Sequence, residues 1–162
     1  MEQFYKSFLE HHEERLWRLL KHATLHAVVV ASAVFLFFVT THLLNLDTRG
    51  VKHGLALFSA IFLGTASTAI LHEWSHLIGA KLGGATYTIP RKLGVFIFEW
   101  NFAKNSITQF YIMSVAGSVG GLLTIFLLNG MLPEFSMKYN KTVLASAFSA
   151  FVLGAVIEWP VL

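Results

Sequence analysis

The stretch GLALFSAIFLGTASTAILHEWSHLI, residues 54–78, decides how this chain is read. From Gly54 to Leu71 it carries no charged side chain, and it then reaches His72, Glu73 and His76 in the order H-E-x-x-H. About 20 mostly apolar residues are enough to cross a bilayer as a helix. At 3.6 residues per turn, His72 and His76 project from one helix face toward a common point. That geometry suits two imidazole ligands on one zinc ion, with Glu73 beside them to take a proton from water. Ionisable side chains at membrane depth are costly to keep without a use. The expectation is a metal site in a membrane protein. The blander reading has the same three side chains reaching the membrane interface at a helix end.

Composition agrees with the membrane. The 162 residues are 55% hydrophobic and 13% charged, against about 25% charged in soluble domains. The length allows one domain. With no cysteine, disulfides, thiolate ligands and a cysteine nucleophile are excluded. The net charge of +3 is small and its basic residues flank the apolar runs, which fits membrane topology and lipid headgroups rather than nucleic acid.

The expected fold is an all-α integral membrane protein with four transmembrane helices, at 24–46, 54–78, 106–130 and 141–159. Residues 1–22 mix Glu2, Glu10, Glu13 and Glu14 with Lys6, Arg15, Arg18 and Lys21, while Phe4, Phe8, Leu16, Trp17, Leu19 and Leu20 recur near helical spacing. That pattern predicts an amphipathic helix lying on the membrane surface. A cleaved signal peptide ending near Ala31-Ser32-Ala33 fits less well, because the head is acidic and the apolar run continues through Phe38. Four crossings put both termini and the 79–105 loop on one side. Lys6, Arg15, Arg18, Lys21, Lys81, Arg91, Lys92 and Lys104 on that side outnumber Arg49, Lys52, Lys138 and Lys141 on the other. The bias predicts cytoplasmic termini, as in a protein of the cell (inner) membrane.

Within the 79–105 loop, Phe96, Phe98, Trp100 and Phe102 alternate with Val95, Ile97, Glu99 and Asn101, the period of a strand. This predicts a short β-hairpin, resting at the lipid interface or offering an edge to an extended peptide. Gly117 and Gly121 form a G-x-x-x-G, and Ala150 and Gly154 repeat the spacing. Small residues so placed let helices approach closely, and packing is the expected role.

Zinc at a catalytic site takes three protein ligands and keeps a fourth position open. Asp47 and Glu134 are predicted on the far side of the membrane. Glu158 closes the last span on the side of His76, which makes it the first candidate for third ligand, with His26 in reserve. His22, His26 and His42 also raise haem ligation as a distant alternative.

The combination of His72-Glu73-Trp74-Ser75-His76 on the second span, a strand-like loop after it, and Ser114-Val115-Ala116-Gly117-Ser118-Val119-Gly120-Gly121 on the next resembles the site-2 protease family of intramembrane zinc metalloproteases, in a small, zincin-like form. The resemblance covers roughly residues 54–160. It implies zinc held by the two histidines, Glu73 as general base, and membrane-associated proteins or peptides as substrates. The family's aspartate ligand in an N-x-x-P-x-x-x-x-D-G pattern has no counterpart here, and Gly117 is followed by Ser118 where the family places proline. Two function classes follow. One is a membrane-embedded zinc endopeptidase using His72, His76 and Glu158 as ligands, with Ser75, Ser114 and Ser118 lining a water path. The other is a catalytically inactive accessory subunit of a larger membrane complex.

Overall fold

The computed structural model describes residues 2–44, 50–132 and 137–158. It is a four-helix membrane bundle with a small antiparallel hairpin between the second and third helices. Helix α1 spans Glu2–Leu44, α2 Val51–Leu82, α3 Ile107–Met131 and α4 Met137–Glu158. Each contains a segment long and apolar enough to cross a membrane, and in α1 that segment is His12–His42.

The surface helix expected at 1–22 and the span expected at 24–46 are one continuous 43-residue helix. Nothing between Glu2 and Leu44 stops it, since the segment holds neither glycine nor proline, the two residues that disfavour helix interiors most. Helix α2 also runs past its predicted ends, by three residues at the start and four at the finish. It stops at Gly83-Gly84, where Gly84 takes φ +66°, a backbone shape that costs glycine little. Helix α3 begins within one residue of expectation. Ser106 caps it in a capping box with Gln109, whose amide nitrogen also donates to the Gly83 and Gly84 carbonyls at 3.2 and 3.0 Å. One side chain thus fixes the start of α3 against the end of α2. Asp47, Glu134 and Trp159 lie outside the described residues.

The hairpin is shorter than the alternation suggested. Strands β1 (Tyr87–Thr88) and β2 (Glu99–Trp100) pair over two residues each, with Tyr87 opposite Trp100. Residues 91–98 lie outside both strands. The reason is tertiary packing. Ile97 and Ile89 are buried with Leu77 beneath Leu19 and Trp74, so packing onto α1 and α2 holds this segment where ladder bonds do not.

Helix α2 is the hub and packs against each of the other helices. Lipid tails are as apolar as the side chains, so close packing and interhelical hydrogen bonds must hold such a bundle. Both are present. Thr40 and Ser59 share a buried hydroxyl–hydroxyl bond of 2.7 Å between α1 and α2, next to a core of Ala33, Phe37, Ala60, Leu63 and Val143. A Cβ at Gly64 would overlap Ser146 and the Val143 carbonyl of α4, and one at Gly79 would overlap Ala116 of α3. By contrast, Gly54 and Gly130 face open space.

These contacts set up a paired comparison. Gly64→Ala should destabilise the bundle by about 1–3 kcal/mol, because α4 must shift. Gly54→Ala should be neutral or stabilising by up to about 1 kcal/mol, since alanine is the better helix former. Reversible unfolding in mixed detergent micelles measures both.

A candidate metal centre

His72 and His76 face the same way from α2, with ring centroids 4.3 Å apart and planes at 83°. Glu158, the last residue of α4, meets them. His72 Nε2 lies 2.8 Å from Glu158 Oε1, His76 Nε2 lies 2.9 Å from the same oxygen, and the two nitrogens are 2.9 Å apart. Three potential ligand atoms therefore form a nearly equilateral triangle. Both histidines are buried, at 7% and 5% exposure, while the Glu158 side chain retains 24%.

Glycines make room for the rings. A Cβ at Gly117 would run into the His76 imidazole, and one at Gly154 would stand 3.5 Å from His72 Nε2. A Cβ at Gly121 would touch Phe151 of α4 at 2.8 Å and stand 3.6 Å from His72 Nδ1. The i, i+4 spacing of the histidines on α2 is thus matched by the i, i+4 spacing of Gly117 and Gly121 on α3. The carbonyl of Met113, one turn before Gly117, takes a hydrogen bond of 2.9 Å from His76 Nδ1. A side chain at 117 would displace the ring that makes this bond.

That bond settles where the His76 proton sits. A carbonyl only accepts, so Nδ1 carries the hydrogen, and in the neutral ring Nε2 presents a lone pair. The His76 lone pair points at the Glu158 carboxylate and at His72. Such a cluster is repulsive unless a hydrogen on His72 Nε2, an added proton or a metal ion sits among the three atoms. Holding a histidine's outer nitrogen on a backbone carbonyl is also the usual way to orient a metal ligand. Metal–ligand bonds of about 2.0–2.2 Å at a tetrahedral ion separate ligand atoms by about 3.3 Å, so the triangle would widen by a few tenths of an ångström.

Several buried polar atoms here have no hydrogen-bond partner among the described residues. They include His72 Nδ1, Glu158 Oε2 and Thr68 Oγ1, and all three residues line one cleft of about 330 Å³. Since nearly all buried polar groups in folded proteins are paired, a cluster of exceptions marks a place built for an ion or water. The nitrogen–nitrogen–carboxylate set suits a divalent transition metal. His72, His76 and Glu158 can hold a metal ion.

Glu73 lines the same cleft and is half-buried. The other walls are Phe151, Leu153 and Ile157 of α4 and Val95 and Phe96 of the loop. His26, the reserve ligand, is engaged elsewhere. Its Nε2 bonds the Gly94 carbonyl at 2.9 Å and its Nδ1 accepts from the Trp74 indole at 3.1 Å. His22 Nε2 is turned toward the Pro90 carbonyl at 3.4 Å. Ser75, Ser114 and Ser118 are not among the cleft-lining residues. Ser75 donates to the Leu71 carbonyl at 2.8 Å, and Ser114 and Ser118 are buried within the bundle. The roles of Met113, Thr68, Val95 and Phe96 were not read from sequence. For the glycines a signal existed, since Gly117 and Gly121 repeat the spacing of the histidines.

Gly117→Ala should lower metal affinity by about 10- to 100-fold, as loss of a ligand's supporting contact does, with helicity retained. Gly130→Ala is the matched control. Metal titration of detergent-purified protein, followed by circular dichroism, separates loss of the site from loss of the fold. Compared with known protein families, with characterised proteins and with solved structures, the chain finds no match.

Proposed function

We propose that this chain is a membrane-embedded zinc metallopeptidase, with His72, His76 and Glu158 as ligands and Glu73 as general base. The observation that carries the reading is the triangle of His72 Nε2, His76 Nε2 and Glu158 Oε1, with sides of 2.8–2.9 Å, beside Glu73 in a shared cleft. Glu158 then takes the place of the aspartate that site-2 proteases use, which accounts for the missing aspartate pattern.

Zinc in a three-ligand setting supplies Lewis acidity and brings the pKa of water to about 7. The remaining work falls to the chain. Glu73 is carried on the helix that bears both histidines, so its carboxylate is held in register with them to accept a proton from the attacking water and pass it to the leaving amine. Met113 keeps the His76 ring in the tautomer that exposes Nε2. The apolar walls at Phe151, Leu153 and Ile157 limit entry of bulk water, which strengthens electrostatic interactions inside. A helix encloses its own amide bonds, so the substrate must enter locally unwound. Membrane-associated proteins or peptides are the substrate class, and the basic residues near the hairpin favour a cytoplasmic position for that end of the bundle.

Purified wild type should carry zinc near one per chain, and His72→Ala and Glu158→Ala should both lose it. Glu73→Gln should keep zinc and lose cleavage of a membrane-peptide library by about 100- to 10,000-fold, the usual contribution of a general base. Zinc binding without any cleavage that depends on Glu73 would instead assign the chain as a non-catalytic accessory subunit.

A further inference from the structure

A second set of polar side chains, two of them buried, lies on α1, away from the three potential ligand atoms. Arg18, His22 and His26 are spaced four residues apart and so share one helix face. Each reaches a carbonyl of the loop that follows α2. Arg18 donates to Ile89 at 3.2 Å, His22 to Pro90 at 3.4 Å and His26 to Gly94 at 2.9 Å. His22 and His26 are 0% and 4% exposed, so these groups are withdrawn from solvent and lipid to hold backbone.

His26 does more than its neighbours. Because the Gly94 carbonyl only accepts, Nε2 carries the hydrogen, which leaves Nδ1 to accept from the indole of Trp74. Both nitrogens of a neutral ring are then satisfied. Trp74 stands directly after Glu73, and Gly94 directly before Val95 and Phe96, the two loop residues that wall the cleft. Val95 and Phe96 are 52% and 72% exposed, whereas Ile97 is fully buried. The cleft-facing pair is thus held at one end by the Ile97 anchor and at the other by the bond from His26, with no strand pairing between.

We propose that His26 is a positioning residue for this cleft: through Gly94 it holds Val95 and Phe96 as a cover, and through Trp74 it keeps that cover in register with the helix carrying His72, Glu73 and His76. The cover's importance for catalysis rests on the peptidase reading, whereas its existence does not. Admission of an unwound peptide then means release of the Gly94 bond and displacement of Phe96. The same two bonds explain why an ionisable ring is retained at this depth on α1 although it ligates nothing.

The absence of cysteine permits a direct test. Ala150→Cys places one thiol on the α4 wall of the cleft, and its reaction with a water-soluble maleimide reports whether the cleft is covered. Zinc content and helicity are measured on the same samples. With His26 intact the thiol should react slowly. His26→Phe, which keeps the ring's bulk and deletes both bonds, should speed labelling about tenfold, the effect expected from losing roughly one net hydrogen bond's worth of closure. Phe96→Ala should do the same by removing the cover itself. His26→Gln, whose amide offers one donor and one acceptor, should stay near the parent rate.

Equal rates in the parent and in folded His26→Phe overturn the proposal, whether or not Phe96→Ala is fast. If His26→Phe loses helicity, Trp74→Phe decides in its place: faster labelling supports the proposal and an unchanged rate overturns it. A parent without zinc that still shows the labelling pattern leaves His26 its role and removes the metal reading.

Discussion

Two imidazoles one turn apart on α2 demand that the helix packed against them carry no side chain where the rings lie. Gly117 and Gly121 meet that demand, the first against His76 and the second near His72. Much of the bundle depends on this contact. Because α3 approaches so closely, the Met113 carbonyl comes within reach of His76 Nδ1, and α2 occupies the centre rather than the edge. In lipid, where apolar burial gives helices little reason to associate, close approach and buried polar contacts are the main attractions available. The steric fit at the glycines therefore acts as structural glue and as the seat of the candidate site together.

Two groups of polar side chains inside this bundle stand in contrast. Thr40, Thr41 and Ser59 are satisfied by carbonyls or by one another, as lipid-embedded hydroxyls must be. His26 is satisfied on both nitrogens. Around the cleft the pattern reverses, for His72 Nδ1, Glu158 Oε2 and Thr68 Oγ1 lack partners among the described residues, while three potential ligand atoms crowd together. His22 Nδ1 and Ser114 Oγ also lack partners away from the cleft among the described residues, so what marks the place where chemistry is possible is the crowding of three potential ligand atoms beside the unpaired ones.

Chain connectivity accounts for how the site is assembled. His72 and His76 come from the middle of the sequence, and Glu158 joins them from 82 residues beyond His76. A helix stop at Gly83-Gly84 and the cap at Ser106 set the angle at which α3 returns. The unbroken α1 then brings Arg18, His22 and His26 alongside the loop, an arrangement that a separate surface helix would not produce.

Much was legible in the residues themselves. Apolar runs of membrane length located all four helices, the H-E-x-x-H order located two histidines on one face, and the return of the fourth helix pointed to Glu158. These are local or topological facts, carried by hydropathy, by the 3.6-residue period and by the parity of the crossings. Other features depended on contacts between distant segments. The continuity of α1 across residue 22 was legible in principle, since no glycine or proline interrupts it, but charge patterning suggested a boundary there. The pairing of His26 with Trp74 and Gly94, the Met113 carbonyl behind His76, and the cleft walls at Val95 and Phe96 carry no sequence period. Periodicity reports which face a side chain occupies, whereas a hydrogen bond to a distant backbone carbonyl depends on how two helices approach, and only the tertiary structure decides that.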